Sequence, residues 1–436
     1  MSLNTQYLEN EIIDQYLYDE NISRPWIIGF SGGKDSTMLL QVVWKALTKI
    51  EPALLTRPIY VICNDTLVEN PKIVKFIEKT LKRIQESAVK NSLPINVVQT
   101  KPKIEESFWV KLIGLGYPAP NKFYRWCTER LKINPTTRFI TETISEKGEA
   151  IILLGTRSDE SASRAASIKK HEIKRNRLRK HMLPNAFVYS PIMDVTTNEL
   201  WQYLNQVPPP WGGTHKELVT LYRNANSGDC PLVIDESTPS CGNSRFGCWT
   251  CTVVNKDKSM EGLIENGDEW MQPLVDIRAF LIETRDNPEI YRQKERRNGT
   301  ITERYWGPYK FDTRVSILEK ILIAQKETII NEGVELITHQ ELVMIQYYWF
   351  RDNFFKIKVS DIYNKIFNSH LDMSKQNEKL REEEELLKGS CTKDENDFQL
   401  LKELLQLQKT KSLMIRKRGL QSDLESRLDD YIKNSN

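Results

Sequence analysis

The stretch S-G-G-K-D-S at residues 31–36 combines residue types that bind phosphate, and it follows the apolar run WIIGF. Its two glycines permit a tight backbone and the close approach of a ligand. Amide N–H groups at the start of a following helix attract anions, and Lys34 adds a mobile positive charge. Ser31 and Ser36 offer hydroxyl groups, and Asp35 or Ser36 could cap the helix. A glycine turn without a ligand would not need this whole ordered set, so the stretch predicts a phosphate site.

Four cysteines lie close together further along the chain, at Cys230, Cys241, Cys248 and Cys251. Their spacing is C-x10-C-x6-C-x2-C, and four thiolates suit either a tetrahedral zinc ion or an iron–sulfur cluster. Zinc ribbons usually pair two short knuckles, whereas here only the last pair is short. The wide first gaps therefore favour a [4Fe–4S] cluster, with zinc as the alternative and unligated cysteines as the weakest interpretation.

Cys127 lies in RWCTERLK, close in sequence to Arg125, Arg130 and Lys132. Nearby cations favour the thiolate form of a cysteine, which suits a nucleophile or a sulfur carrier. The alternative is an inert, buried cysteine, the commoner state of an isolated one. Cys63, inside an apolar strand candidate, is expected in the core.

The run KKHEIKRNRLRKH at residues 169–181 holds seven Lys or Arg and two His against one Glu. Such a run can neutralise several phosphates of a nucleic acid. Its alternative is a solvated loop, which is common for runs of charge. We expect DNA to bind here, and charge reversal at Arg175, Arg177 and Arg179 to weaken DNA-dependent activity.

Apolar strand candidates alternate with helical patterns in the first half of the chain. The strand candidates are WIIGF, IYVICN, PINVVQT, AIILLGT and VYSPIM. Helical patterns cover residues 37–47, 71–89 and 196–204, and Thr196 and Glu199 have the spacing of a capping box. This alternation predicts an α/β fold with a parallel sheet. Ligands of such sheets bind at the carboxyl ends of the strands, which places residues 31–36, 64–69 and 155–160 along one edge.

The domain organisation follows from shifts in composition. Residues 1–207 are expected to form the α/β domain, residues 208–275 a cysteine segment stapled by a metal centre, and residues 276–436 a mainly helical region. The tail from about residue 370 is rich in Glu, Lys and Leu. It predicts a solvated helical pair, or alternatively a partner-binding arm.

The overall composition is ordinary for a globular protein. Charged residues make up 28% of the 436, and the formal net charge is only +3, so a nucleic-acid surface must come from local clustering. The N-terminal stretch lacks the pattern of a signal peptide, and no apolar run approaches the ~20 residues that span a bilayer. We therefore expect a cytoplasmic protein without membrane association or structural disulfides.

The S-G-G-K-D-S stretch resembles the signature SGGxDS of the PP-loop ATP pyrophosphatases, a fold shared by the sulfonucleotide reductases. Members cleave ATP to AMP and pyrophosphate and activate a substrate as an adenylate. The resemblance implies that the pyrophosphate end of ATP is bound, with Mg²⁺ nearby, and that Lys34 and Asp35 are catalytic. The implied phosphate-binding residues are Ser31, Gly32, Gly33, Lys34, Asp35 and Ser36.

Two further stretches resemble segments of the sulfonucleotide reductases. CNDTLVENP is similar to their nucleotide-pocket segment and implies a role for Asp65, whose alternative is to cap the loop. LLGTRSDES is similar to their G-x-R-x-x-E-S strings. It implies that Gly155 and Thr156 approach the ligand and that Arg157 binds phosphate, although such an arginine is often only an ion-pair partner.

The combination of the phosphate loop, RWCTERLK, and the cysteine spacing followed by TVVNKDKSMEGLI resembles the DndC-type proteins of DNA phosphorothioation over most of residues 20–310. SspD-type proteins of single-strand phosphorothioation are also similar. The resemblance implies a PAPS reductase-like sulfurtransferase of bacterial defence with a [4Fe–4S] cluster on Cys230, Cys241, Cys248 and Cys251. It further implies three kinds of partner, namely DNA, a cysteine desulfurase as sulfur donor, and other phosphorothioation subunits.

These features predict an enzyme that cleaves ATP to activate a DNA backbone phosphate for sulfur incorporation. Cys127 or the cluster would relay the sulfur. One alternative is a phosphoadenylylsulfate-type reductase that does not cleave ATP. Another is a nucleotide-sensing scaffold of a DNA-modification complex, which would bind ATP without turnover.

Overall fold

A computed structural model describes residues 3–160, 177–225, 247–254, 256–296, 301, 305–352 and 354–371, with short pieces at 386–389, 397–398, 400–401, 404–405 and 428. The chain forms two compact units. The first comprises Met1–Phe108 and Pro120–Glu283, and the second comprises Trp109–Ala119 and Thr284–Asn436. The domain boundaries at residues 207 and 275 stay a prediction.

The first unit is built on a six-stranded sheet of order β3-β2-β1-β4-β6-β5. The strands are β1 Trp26–Gly29, β2 Ile59–Asn64, β3 Ile95–Thr100, β4 Ala150–Leu153, β5 Arg179–Lys180 and β6 Ala186–Tyr189. All strand pairs are parallel except β5 with β6. The predicted α/β fold with a parallel sheet is confirmed.

The last predicted strand differs from the structure. We expected a strand over VYSPIM, but β6 ends at Tyr189, and the amide of Met193 donates to the Ser190 carbonyl in a turn. Pro191 explains the difference, because a proline has no N–H to donate to a neighbouring strand. The short antiparallel β5 was not predicted.

Helices alternate with these strands and continue after them along the chain. They are α1 Thr5–Leu17, α2 Lys34–Leu47, α3 Pro71–Lys90, α4 Trp126–Thr128, α5 Asn134–Lys147, α6 Thr197–Gln206, α7 Lys216–Ala225, α8 Lys258–Glu265 and α9 Gln272–Asp286. The predicted capping box is confirmed, since Thr196 and Glu199 exchange side-chain-to-backbone hydrogen bonds at the start of α6. None of the helices in the described ranges is long and apolar enough to cross a bilayer.

The core of the first unit explains why α2 lies where it does. Met38, Leu39 and Val42 are fully buried against apolar residues of β1 and β2, such as Ile28 and Val61. Burying a side chain of this size contributes roughly 1.5–3 kcal/mol. The helix that begins at the phosphate loop is therefore fixed to the sheet along its length. Cys63 is part of this core, as expected.

The described part of the second unit is mainly helical. Its further helices are α10 Pro288–Tyr291, α11 Phe311–Glu332, α12 His339–Arg351 and α13 Val359–Phe367. Two indole groups connect the returning segment 109–119 to them, because Trp109 donates to the Leu336 carbonyl and Trp349 to the Ile113 carbonyl, at 2.8 and 2.9 Å. Most of the predicted helical tail lies outside the described residues.

Candidate functional site

The phosphate loop turns from β1 into α2. Gly32 has φ +72°, a conformation that favours glycine, and a Cβ there would lie 2.8 Å from Cγ1 of Ile77. The Ser36 hydroxyl accepts from the Ser31 amide at 3.2 Å and donates to the Gly33 carbonyl at 3.1 Å. The loop is thus internally hydrogen-bonded.

The expected helix cap is corrected. Gly33, not Asp35 or Ser36, is the N-cap residue of α2, and no side chain caps it. The Ser36 hydroxyl is occupied within the loop, and the Asp35 carboxylate is bound elsewhere. An uncapped helix start keeps amide N–H groups for a ligand, and the helix dipole makes it attractive to an anion.

Tyr222 of α7 lies over this helix start. Its hydroxyl accepts from the Lys34 amide at 3.3 Å, and the Lys34 ammonium lies 5.4 Å from the centre of its ring. The ring packs edge-on against Trp201, at 5.1 Å between centroids. Nothing in the pattern around Tyr222 pointed to this contact, which joins residues 188 positions apart in sequence.

Asp35 is held by Arg157. The Arg157 guanidinium, 0% exposed, donates to the Asp35 carboxylate at 2.6 Å and to the Val195 carbonyl at 2.9 Å, and it also reaches the Thr197 hydroxyl. Lys34 is the second partner of the Asp35 carboxylate, at 3.1 Å. Arg157 therefore orients Asp35, and its predicted contact with phosphate stays a prediction.

Gly155 brings the turn after β4 against the first turn of α2. A Cβ at this position would lie 2.9 Å from the Asp35 carbonyl oxygen and 3.2 Å from the Ser36 amide nitrogen. Real Cβ atoms essentially never come within 3.0 Å of another heavy atom, so the contact with the Asp35 carbonyl oxygen means that any larger residue would push the two segments apart. Thr156 follows, with its hydroxyl 3.2 Å from that of Ser190.

The loop after β2 forms the next part of the same sheet edge. The Asp65 carboxylate accepts from the Leu67 amide at 2.9 Å and pairs with Lys101 at 3.1 Å. It therefore caps the loop, as the alternative interpretation held, while its predicted place in a nucleotide pocket stays a prediction. Leu67 has φ +64°, which is strained for a leucine and typical of functional loops.

Cys248 is attached to this loop by backbone contacts. It forms an antiparallel bridge with Glu69, and the next residue, Trp249, donates to the Val68 carbonyl at 3.1 Å. The Cys248 sulfur lies 3.4 Å from the Thr66 hydroxyl, and the Cys251 amide donates to the Cys248 carbonyl at 3.1 Å. The C-x2-C pair is thus placed at the carboxyl end of β2.

Cys127 and Lys132 reach this pair from a continuous helix. The stretch Glu129–Ile133 is a π-helix between α4 and α5, a form that occurs frequently at functional sites. The negative charge of Cys248 is the largest cause of a raised pKa at Lys132. The charges of Glu69, Cys127 and Cys251 raise this pKa further, whereas burial lowers it. We call Cys127, Cys248, Cys251, Lys132 and Glu69 the thiol group.

The expectation that nearby cations favour the thiolate form of Cys127 is wrong, because burial outweighs them. Burial raises the pKa of the Cys127 thiol, and the negative charge of Cys251 raises it further. Arg130 does not compensate, since its guanidinium is bound to Glu106 at 2.8 Å. Burial likewise raises the pKa of Cys248 to about 11 and that of Glu69 to about 7. Because both thiol pKa values are raised, these thiols would lose their protons on binding a metal ion.

The donors of the thiol group fit a thiolate-bound metal centre. Cys248 and Cys251 are free cysteines beside a buried ammonium, which balances the charge of thiolates. Within the described ranges, no three metal-ligating side chains already surround one point. Cys230 and Cys241 lie outside these ranges, so the four-cysteine ligand set stays a prediction.

The described end of the basic run packs on α1. Arg177 pairs with Glu11 at 2.9 Å and with Asp14, and Arg179 donates to the Ser190 hydroxyl at 2.9 Å. Both side chains are thus engaged within the protein. Arg175 lies outside the described residues, and the DNA contact predicted for this run stays a prediction.

Several solved structures and one curated protein are similar to this chain. An FMN adenylyltransferase from Candida glabrata is 15% identical, with a TM-score of 0.29, and the match covers 51% of this chain and 59% of that one. A phosphoadenylyl-sulfate reductase from Candida auris is 14% identical, with a TM-score of 0.28 and coverages of 48% and 91%. The U34-tRNA thiolase NcsA from Methanococcus maripaludis with its [4Fe-4S] cluster is 11% identical, with a TM-score of 0.28 and coverages of 65% and 79%. TM-scores this low support no inference about this chain.

Two matches rest on sequence. An uncharacterized protein from Methanocaldococcus jannaschii is 31% identical over 235 residues, which are 54% of this chain. The match spans only 38% of that relative's length. The model of the phosphoadenosine phosphosulfate reductase domain matches residues 25–254, which include the phosphate loop, Cys127 and the C-x2-C pair. The chain belongs to the phosphoadenosine phosphosulfate reductase domain family.

Proposed function

We propose that this protein is an ATP-dependent sulfurtransferase of DNA phosphorothioate modification, of the DndC type or the related SspD type. It cleaves ATP to AMP and pyrophosphate and activates a backbone phosphate of DNA for sulfur incorporation. One observation carries the proposal. The phosphate loop and the thiol group follow β1 and β2, which are neighbouring strands, at the same edge of the sheet.

The phosphate loop supplies the binding of ATP. The start of α2 has no side-chain cap, and we assign the pyrophosphate group to its backbone amides and to the Lys34 ammonium. Asp35 supplies a carboxylate, the type of ligand that Mg²⁺ prefers. Because Arg157 and Lys34 bind this carboxylate from two sides, its direction is fixed before the nucleotide arrives.

The DNA phosphate is the nucleophile in the first step. A non-bridging oxygen of the phosphate attacks the α-phosphorus of ATP, and pyrophosphate leaves. A persulfide on Cys127, loaded by a cysteine desulfurase, then attacks the activated phosphorus, and AMP leaves with that oxygen. A thiol reductant cleaves the remaining S–S bond, which releases the phosphorothioate and restores the Cys127 thiol, and the reductant is oxidised to a disulfide. Cys127 is the proposed relay, since it lies beside the C-x2-C pair on the same edge.

The iron–sulfur centre is assigned to the four clustered cysteines. Cys248 and Cys251 would hold it together with Cys230 and Cys241, and a bound [4Fe–4S] cluster supplies sulfur or electrons, or stabilises the segment. Lys132 places a positive charge beside these thiolates, and Thr66 offers a hydroxyl to Cys248. These two residues favour the anionic sulfur that either a metal ligand or a sulfur carrier requires.

The first step is tested by measuring pyrophosphate release from ATP with the purified protein and DNA. We expect Lys34→Ala and Asp35→Ala to lower the rate by about 100-fold or more, because each removes a charge positioned for the transition state. Lys45→Ala is the matched control, since Lys45 lies in the last turn of the same helix. Rates equal to that of the unchanged protein in both loop variants would remove the loop from the mechanism.

The family match also favours a second candidate, a sulfonucleotide reductase. Such an enzyme consumes an adenylylsulfate and leaves ATP intact. The complete S-G-G-K-D-S stretch argues for ATP, because it retains every residue of the pyrophosphatase signature. Release of sulfite from phosphoadenylylsulfate, without pyrophosphate release from ATP, would replace the first proposal by the second.

A further inference from the structure

A turn at residues 121–125, which we call the aromatic turn, presents two aromatic side chains to solvent. Phe123 is 100% exposed and Tyr124 is 45% exposed. Among the described residues, no other phenylalanine or tryptophan belongs to the exposed large apolar side chains. The neighbours Lys122 and Arg125 are exposed too, so a cation stands on either side of the aromatic pair.

The aromatic turn is held in place by hydrogen bonds. The Asn121 side-chain oxygen accepts from the amides of Phe123 and Tyr124, each at 2.8 Å. This Asx-turn sets the direction of the chain through the tip. Phe123 is thus presented on an ordered backbone, and contact with a ligand would cost little conformational entropy.

Both ends of the aromatic turn are tied to the rest of the first unit. The Pro120 carbonyl accepts from the Thr252 hydroxyl at 2.5 Å. At the other end, Trp126 stacks on Phe108, with ring centroids 5.4 Å apart and an interplanar angle of 19°. Thr252 directly follows Cys251, so its hydrogen bond to Pro120 links the aromatic turn to the segment that holds the C-x2-C pair.

The aromatic turn lies close to the thiol group. Phe123 and Cys127 are four positions apart in sequence, and an extended chain covers at most about 14 Å over that length. Successive phosphates of one DNA strand are about 3.4 Å apart along the helix axis. A phosphate that reacts beside Cys127 would therefore have bases within reach of Phe123.

One occupant matches this chemistry. A flat apolar ring stacks on nucleobases, and flanking cations neutralise the phosphates of the same strand. A protein partner would require a wider continuous apolar patch than one ring between charges. We propose that Phe123 stacks on an unpaired base of the DNA strand, with Lys122 and Arg125 on the neighbouring phosphates. This inference rests on the proposed function and names a substrate contact of that site.

Binding of a fluorescently labelled single-stranded oligodeoxynucleotide, followed by anisotropy, tests the stacking contact. We expect Phe123→Ala to weaken binding about 5- to 150-fold, the range that one base–aromatic stack provides. Phe123→Trp should preserve binding, and Phe123→Leu should lose it despite its apolar side chain. Tyr18→Ala is the matched control, because Tyr18 is 77% exposed at the end of α1.

Base stacking by Phe123 and phosphate binding by Lys122 and Arg125 can be told apart by their effects on DNA binding. An abasic strand of equal length should bind the unchanged protein and Phe123→Ala equally, since it has phosphates but no bases. Lys122→Ala and Arg125→Ala should each reduce the slope of log affinity against log salt by about one, whereas Phe123→Ala should leave that slope unchanged.

The outcomes separate this inference from the proposed function. A protein that binds no oligodeoxynucleotide overturns both. DNA binding that Phe123→Ala leaves unchanged overturns only the stacking contact, and a loss of ATP affinity in the same variant would assign the ring to adenine instead. An equal loss on the abasic strand would also overturn stacking.

Discussion

The phosphate loop and the thiol group lie at the same edge of one sheet, but they are built differently. The loop consists of six consecutive residues whose hydrogen bonds close among themselves, and Arg157 and Tyr222 complete it. The thiol group is assembled from three separate parts of the chain, at Glu69, at 127–132 and at 248–251. The difference teaches that a local turn can build the proposed phosphate site by itself, whereas thiols from separate segments must be brought together by the tertiary fold.

Removing a thiol should have the largest effect. We expect Cys248→Ala to lose nearly all bound iron after anaerobic purification, because a thiolate ligand of the centre is gone. Cys63→Ala is the matched control, because Cys63 is buried in β2 and is not a proposed ligand. The protein with this substitution should keep its bound iron. Iron, zinc and sulfide analysis with a visible spectrum measures the outcome. Full iron in Cys248→Ala, or stoichiometric zinc in the unchanged protein, would contradict the assignment.

Arg157→Ala should be the most destabilising change near the phosphate loop. It leaves the Val195 carbonyl without its buried donor and the Asp35 carboxylate with Lys34 alone, which costs about 1–3 kcal/mol of unfolding free energy for each lost buried partner. Urea unfolding at constant m-value measures it. Arg138→Ala, whose exposed guanidinium donates to the Lys101 carbonyl, should cost less than about 1 kcal/mol. Similar losses in both variants would mean that Arg157 does not secure the loop.

Lowering the pH should destabilise the protein through His215, a buried residue that contacts α2. The buried His215 ring lies 2.9 Å from the side chain of Gln41 in α2, and burial lowers its pKa to about 4 from an ordinary 6.5. Between pH 6.5 and about pH 4, His215 is protonated in the unfolded chain but stays neutral in the folded chain. The free energy of unfolding therefore falls as the pH is lowered through this range. The loss is up to about 3 kcal/mol.

The His215→Gln variant isolates this contribution. Its unfolding free energy should fall less between pH 7 and pH 4, because the titrating ring is gone while an amide remains opposite Gln41. Urea unfolding at several pH values gives the two curves. Parallel curves for the variant and the unchanged protein would assign the acid sensitivity to other groups.

Of these substitutions at the candidate site, Gly155→Ala should have the smallest effect on stability. It tests how precisely the phosphate loop must be placed. The added Cβ would lie 2.9 Å from the Asp35 carbonyl oxygen, so the start of α2 must shift. We expect a loss of about 1–2 kcal/mol and slower pyrophosphate release. Gly29→Ala is the matched control, since its Cβ would meet Leu154 at an ordinary 3.5 Å. An unchanged unfolding free energy and an unchanged rate of pyrophosphate release in Gly155→Ala would show that the loop tolerates displacement.

The α/β class with its parallel sheet is predictable from the sequence for physical reasons. Parallel strands are apolar on both faces, so IYVICN and AIILLGT stand out as continuous apolar runs, and Thr196 with Glu199 marks a helix start by chemistry that is entirely local. The turn that ends β6 was missed because the apolar pattern of VYSPIM outweighed its proline.

The candidate site was only partly predictable, since several of its contacts are tertiary. No local pattern indicates that Tyr222 covers the start of α2, that Arg157 turns inward to Asp35, or that Cys248 pairs with the loop after β2. The pKa of Cys127 illustrates the limit. Neighbouring cations in the sequence favoured its thiolate, but burial in the folded chain raises its pKa.

The π-helix between Cys127 and α5 has a consequence for how this edge tolerates change. Its i→i+5 hydrogen bonds accommodate one residue more than an α-helix does. Loss of a single codon within Glu129–Ile133 would allow a regular α-helix and would leave both flanks in phase, because one π-turn and one α-turn each close a single turn around the axis. The reading frame can therefore lose a codon here without turning Cys127 away from α5, provided that the codon lost is not that of Lys132.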